Sequence, residues 1–252
     1  MRPDPPKSLL HRWATPVQVL LTLGLYFQLS VLGGLAAAPG LYGWWTVFDA
    51  TVAWPRAARC VALAAAGFAA YFSYAVCVLF VVGAYRFVTR AASPLGRFRY
   101  YSREGMQWAS YNALILLVRY TCINFLRVTP LLPLFHRLMG MKVGARVQIN
   151  TAVIGDSNLI EIGDDTVIGG DVTLVAHAAE RGDLVTARVK IGSRVTVGLM
   201  AVIMPGVEIG DRAVIAANAV LKKGTKVGPG ELWGGVPAMK LGARGDAPTE
   251  AT

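Results

Sequence analysis

The chain has 252 residues, room for one or two domains, and 54% of them are hydrophobic while only 16% are charged. That balance is too apolar for an ordinary soluble domain and points to membrane segments. The net charge of +10 is uneven: only Asp4, Asp49 and Glu104 among the acidic residues precede position 150. The basic excess therefore belongs to the apolar half and suits anionic lipid. No basic groove interleaved with aromatics speaks for nucleic acid. Cys60, Cys77 and Cys122 form no CxxC pair and join no histidine cluster, so neither a disulfide framework nor a metal site is supported.

In chain order, residues 16–36 carry no charge and can span a bilayer, with Arg2, Lys7 and Arg12 before them. Ala36-Ala37-Ala38 has the look of a signal-peptide cleavage site. The length of the segment, its aromatics and Gln28 favour an uncleaved anchor. Residues 60–84 are a second charge-free run, followed by Arg86, Arg90, Arg97, Arg99 and Arg103. The loop between the two runs has only Arg56 and Arg59, with Trp44, Trp45 and Trp54 as interfacial anchors. The positive-inside rule places both ends of this hairpin in the cytoplasm, and the C-terminal part with them.

Residues 105–141 read as interfacial. The apolar run 113–118 is too short to span, and Arg119 and Arg127 interrupt its continuation. Trp108, Tyr111, Tyr120 and Phe125 suit a helix lying in the interface. Thr129-Pro130 ends it, and Leu131 to Met139 form a second short amphipathic piece containing His136.

The last third has a six-residue step. Apolar residues return at Ile191, Val197, Ile203, Ile209, Ile215, Leu221, Val227 and Trp233, and upstream at Ile162, Ile168 and Leu174. Small or β-branched residues follow four places later, at Val195, Ala201, Val207, Ala213, Ala219 and Thr225. A helix would return apolar residues at three and four, a simple strand at two. A sustained hexad means a short strand, then a corner, repeated: a parallel β-helix with three hexads per triangular coil. Each lead aliphatic stacks on its counterpart one coil above, about 4.8 Å away. The ladder breaks between Leu174 and Ile191, an interval of 17 residues where three hexads would take 18. That break predicts a loop thrown out of the prism with His177 at its base.

The hexads, the interrupting loop with one histidine and the closing Trp233-Gly234-Gly235-Val236-Pro237-Ala238 resemble the hexapeptide-repeat acyltransferases over about residues 142–242. The resemblance implies a left-handed β-helix that trimerises, since parallel crossovers are otherwise right-handed. It implies His177 as the general base that deprotonates a hydroxyl or amine attacking a thioester, a task suited to an imidazole that is largely neutral at pH 7. It implies acetyl-CoA or another acyl thioester as co-substrate, with no permanently bound cofactor. Gly198, Ala216 and Ala217 match the small corner positions along which coenzyme A lies, and Lys222 and Lys223 the basic residues near its phosphates. Asn150 and Asp156 fall near the acceptor-binding positions of the sugar acetyltransferases, although turns also favour both types. The chain departs from those enzymes at Thr196, where they carry tryptophan, and at Ala178, where they carry proline, so a simple sugar acceptor is in doubt.

In its order of parts the chain also resembles the membrane-bound C-terminal region of ε-poly-lysine-synthetase-like peptide synthetases, through Leu134-Phe135-His136-Arg137-Leu138-Met139-Gly140 ahead of the prism. That likeness implies an aminoacyl or acyl thioester on a carrier protein as donor and an amine as acceptor. A non-catalytic, membrane-tethered trimeric scaffold is the alternative of another class, and a three-histidine metal site of the carbonic-anhydrase kind lacks its histidines. The expected layout is a membrane hairpin with basic flanks (1–104), interfacial helices (105–141), the β-helix (142–242) and a flexible tail (243–252), with the protein in the inner or plasma membrane and its prism cytoplasmic.

Overall fold

A computed structural model describes residues 9–243. Arg2, Lys7 and all but the first residue of the expected C-terminal tail lie outside the described residues. The described residues run as five α-helices, with a strand (Gly96–Arg99) between the second and the third, and then a triangular prism of short strands. The helices are α1 (Leu9–Ala50), α2 (Arg56–Thr89), α3 (Arg103–Thr121), α4 (Ile123–Leu126) and α5 (Leu131–Leu138).

Among the described residues, two helices are long and apolar enough to cross a membrane, over Gln18–Ala50 and Arg56–Thr89. Large apolar side chains such as Leu20, Phe27, Phe68 and Phe72 face outward from them. Residues 37–50, which the sequence assigns to a loop, are helical instead, and α1 continues through Pro39. Tertiary contact explains the difference. At Gly40 the two helices cross so closely that a Cβ would lie 2.6 Å from the Ala70 carbonyl oxygen, the small-residue approach typical of membrane helix pairs. Trp44 then donates its indole N–H to the Leu63 carbonyl at 3.2 Å.

α3 is not among the spanning candidates. Ser102 caps it, accepting from the Gly105 N–H at 3.2 Å, with Glu104 in the first turn near the positive end of the helix dipole. Its buried face carries Tyr111, Leu114, Ile115 and Val118. With Leu132, Phe135 and Met139 that face joins the hairpin and the prism into one continuous core.

The six-residue step builds three parallel faces. One stacks Val143, Ile162, Ile191, Ile209 and Val227. The second stacks Ile149, Ile168, Val197, Ile215 and Trp233. The third stacks Ile154, Leu174, Ile203 and Leu221. The expected small residues Val195, Ala201, Val207, Ala213 and Ala219 are fully buried at the corners. Corner backbones turn through left-handed residues three places after the lead aliphatic, as at Arg194, Met200 and Arg212. The Trp233-to-Ala238 segment closes the prism: strand Glu231–Gly234 turns back antiparallel into Met239–Ala243.

The break is shorter in ladder terms than its length suggests. Leu174 lies on the third face and Ile191 on the first, so the chain makes a single corner step, not nearly three. The rest of the interval is a β-hairpin of strands His177–Glu180 and Asp183–Thr186. Arg181 and Gly182 at its tip both have positive φ, the geometry of tight hairpin turns. The outer strand pairs antiparallel with Gly96–Arg99 from the segment between α2 and α3. The expected loop is therefore part of a three-stranded sheet anchored on the helical half.

Candidate active site

Two irregularities of the ladder meet at one corner. The first is the hairpin, whose first residue is His177. The second lies one coil earlier, where Ile154 and Ile162 are eight residues apart on faces that follow one another. The surplus forms a left-handed turn at Asp156 (φ 53°, ψ 44°) and a 3-10 turn over Ser157–Leu159. Aspartate tolerates this conformation better than most residues.

Asp156 and His177 are in contact: His177 Nδ1 and Asp156 Oδ2 form a short hydrogen bond. The Asp156 side chain is fully buried, and that of His177 is 29% exposed. The other carboxylate oxygen, Oδ1, accepts three hydrogen bonds: from the Ser93 hydroxyl at 2.7 Å, the Trp108 indole N–H at 2.9 Å and the Asn112 amide at 2.9 Å. Burial pushes the Asp156 carboxyl up, but the bonds from His177, Ser93 and Asn112 outweigh it and hold the group below the usual carboxylate range. An ionised carboxylate only accepts, so Nδ1 carries the proton and Nε2 carries the lone pair. The bond at Nδ1 is the one hydrogen bond of the His177 ring among the described residues.

Around this pair, Trp108 stands edge-on to the His177 ring with centroids 5.0 Å apart. Gly155 leaves room beside it: a Cβ there would sit 3.5 Å from His177 Cε1. The turn bearing Asp156 is held from the helices. The Tyr111 hydroxyl accepts from Asn158 N–H at 3.0 Å and donates to the Met139 carbonyl at 2.6 Å. Burial, opposed by the Asn158 bond, pushes the Tyr111 phenol up, so that hydroxyl stays protonated. His136, fully buried, pairs its Nδ1 with Ser157 Oγ at 3.0 Å.

Of the residues singled out from the sequence, His177 and Asp156 come together. Asp156 faces the histidine rather than open solvent. Asn150 does not join them. Its side-chain oxygen accepts from Arg127 Nε at 3.2 Å, and Arg127 Nη2 continues to the Asn150 carbonyl at 2.8 Å and to Asp171 at 2.6 Å. It sits at the corner after the second face, one corner before the His177–Asp156 pair.

The proposed donor residues divide between two corners. Gly198, Ala216 and Ala217 follow the second face, stacked so tightly that a Cβ on Gly198 would lie 2.5 Å from the Ala217 nitrogen. Lys222 and Lys223 follow the third face, two coils along from His177. Lys222 is exposed, and Lys223 is tied to Glu180 on the hairpin in a close ion pair. Arg97 meets the same Glu180 at 2.5 Å and Asp183 at 3.3 Å. The sequence reading missed Ser93 and Asn112 and saw Trp108 only as an interfacial aromatic. The i, i+4 spacing of Trp108 and Asn112 on one helix was the available signal; Ser93 offered none. Among the described residues, no group of three or more His, Cys, Asp or Glu side chains is arranged to hold a metal ion.

A three-faced prism of hexads interrupted by a histidine-bearing excursion defines a hexapeptide-repeat domain. Residues 188–223 match the bacterial transferase hexapeptide (six repeats) family model. A curated relative is the delta-poly-L-ornithine synthetase of Acinetobacter baumannii (strain AB307-0294), 30% identical over 82 residues. The match takes in 32% of this chain and 6% of that synthetase, so the chain spans a small part of the relative's length. Among solved structures, galactoside acetyltransferase in complex with coenzyme A is 21% identical with a TM-score of 0.47, over 59% of this chain and 86% of that one. A hexapeptide-repeat acetyltransferase of Vibrio cholerae O1 biovar eltor, complexed with acetyl-coenzyme A, is 22% identical with a TM-score of 0.45, over 58% and 92%.

Proposed function

We propose that this chain is a membrane-bound acyltransferase that moves an acyl group from a thioester to a hydroxyl or amine acceptor, with His177 as general base. The observation that carries the reading is the buried Asp156 carboxylate on His177 Nδ1, which leaves Nε2 basic and directed away from its partner. In the reaction, Nε2 takes the acceptor proton as the acceptor O or N bonds to the carbonyl carbon. The C–S bond then breaks, and the proton passes from His177 to the departing thiolate. The imidazolium formed in between is stabilised by the fixed charge of Asp156, as in other His–Asp pairs. No covalent enzyme intermediate is needed.

The donor in this reading is acetyl-CoA or another acyl-CoA; the two acetyltransferase structures above are named with coenzyme A and with acetyl-coenzyme A. Gly198, Ala216 and Ala217 remain candidates for the corner along which it lies, and exposed Lys222 for a phosphate contact. Because Gly198, Ala216 and Ala217 fall on a different corner from His177, a complete donor site in this reading draws on neighbouring copies in a homotrimer. The likeness to the poly-ornithine synthetase supports a second reading, in which the thioester is carried on a peptidyl or acyl carrier protein and the acceptor is an amine. In either case the two apolar helices hold the prism at a membrane surface, with the arginine-rich flank cytoplasmic, so the acceptor is membrane-proximal or lipid-linked.

The test is acetyl-CoA binding by the full chain in detergent, wild type and His177→Ala, with thiol release followed against hydroxyl and amine acceptors. Binding by both and release only by wild type is expected. Binding without release by either, also with a carrier-bound thioester, would leave a tethered scaffold.

A further inference from the structure

Every donor that holds Asp156 Oδ1 comes from outside the prism. Ser93 lies between α2 and α3, and Trp108 and Asn112 lie one turn apart on α3, on the face turned to the prism. They also hold one another: Asn112 Nδ2 reaches Ser93 Oγ at 3.2 Å, and Asn112 Oδ1 accepts from the Asp156 N–H at 3.2 Å. Asn158 locks the same strand of chain, donating to the Ser93 carbonyl and accepting from its N–H, each at 3.0 Å. The prism alone supplies Asp156 with the bond to His177 and little else.

A fully buried carboxylate needs acceptor satisfaction on both oxygens. Three donors on Oδ1 fix which oxygen faces His177 and in which rotamer. We propose that Ser93, Trp108 and Asn112 are positioning residues for proton abstraction, so that the helical half of the chain completes the catalytic pair and the prism is competent only when docked against it. This inference rests on the acyl-transfer reading for its consequence in turnover, but its geometry is testable without turnover.

The other titratable groups near the pair are Tyr111 on α3 and His136 on α5, both buried, and Glu180 and Asp183 on the hairpin with Arg97 and Lys223. None of these hydrogen-bonds to Asp156 or His177, and the variants below leave all of them in place.

Removing a donor destabilises the carboxylate charge, so the His177–Asp156 pair takes up its proton at higher pH. In the full chain in detergent, Ser93→Ala should raise the acid limb of kcat/KM by about half to one pH unit, a roughly three- to tenfold loss below it. The KM for acetyl-CoA should not change. Ser93→Thr, which keeps the hydroxyl, should restore the wild-type profile, and Trp108→Phe should move the limb in the same direction as Ser93→Ala. The same displacement should appear without substrate in the titration of His177, read by NMR of 13C-labelled histidine in a chain with only three histidines. A displaced titration in an enzyme that releases no thiol would support the positioning roles while sinking acyl transfer. An unmoved His177 titration in folded Ser93→Ala and Trp108→Phe alike would overturn the inference.

Discussion

Asp156→Asn is the sharpest single perturbation of the site because it changes charge and donor pattern with almost no change of volume. Three donors converge on Oδ1 at 2.7–2.9 Å. An amide nitrogen at that position would face an indole N–H and an amide N–H, neither of which can accept. The asparagine must therefore place its oxygen there and its NH2 group toward His177 Nδ1. Nδ1 then has to accept, which puts the imidazole proton on Nε2, the atom needed as base. General-base catalysis contributes about a hundred- to ten-thousandfold, and the wrong tautomer forfeits nearly all of it. A fall in kcat of about a thousandfold is expected, with the KM for the thioester donor unchanged because Asp156 is buried away from solvent. The assay is thiol release under saturating donor, with circular dichroism to verify the fold. Retention of more than about a tenth of wild-type kcat by a folded Asp156→Asn protein, well short of the expected general-base loss, would refute the tautomer argument.

Three other outcomes follow from the packing and the buried imidazole. Ile203→Ala removes a fully buried side chain stacked between Leu174 and Leu221. It should cost about 3–4 kcal/mol in denaturant unfolding of the prism. Gly198→Val drives a Cβ to 2.5 Å from the Ala217 nitrogen, a backbone atom that cannot move aside. It should cost about 2 kcal/mol or more, whereas Gly242→Ala, with nothing within 4 Å of the new Cβ, should be close to neutral in the same melt. Burial pushes the His136 imidazole down to about 3, while the unfolded chain takes up that proton near pH 6.5. The unfolded state thus binds more protons between those values. His136 leaves stability whole above about pH 6.5 and removes up to about 1.4 kcal/mol per unit as pH falls toward 3. Thermal melts of wild type against His136→Phe should show that slope only in the wild type.

The prism was legible because it is the only structure that asks for an apolar residue every sixth place, and its corner demands at Ala201, Ala213 and Ala219 reinforce the count. The helical hairpin was legible from charge-free length. Its true extent was not, because Pro39 and Gly40 look like a stop in sequence, and only the close crossing at Ala70 shows why the helix persists. Asn150 was named for acceptor binding through the family resemblance; in the structure Arg127, a residue with no periodic signature, holds it from the helical side. Asp156 was picked out through the same resemblance, but its partner set is drawn from residues 93, 108 and 112, distant in sequence and invisible to any repeat count.

The repeat nevertheless marked the site by failing there. An uninterrupted hexad ladder specifies each corner by its neighbours, and the corner has no freedom to project a polar group inward toward another coil. Chemistry at a corner therefore needs surplus residues. The ladder carries its excess at two steps, Ile154 to Ile162 and Leu174 to Ile191, on successive coils of the same corner. The first surplus turns Asp156 into the interior, and the second lifts His177 over it. Neither surplus is self-supporting: the 3-10 turn leans on Tyr111, Asn112 and His136, and the hairpin leans on Gly96–Arg99. A local conflict between sequence and repeat, compensated by elements from elsewhere in the chain, is what a functional site in a repeat protein should look like. It follows that grafting either surplus alone onto a regular coil would not create the pair, because the groups that satisfy Asp156 Oδ1 belong to the helical half of the chain.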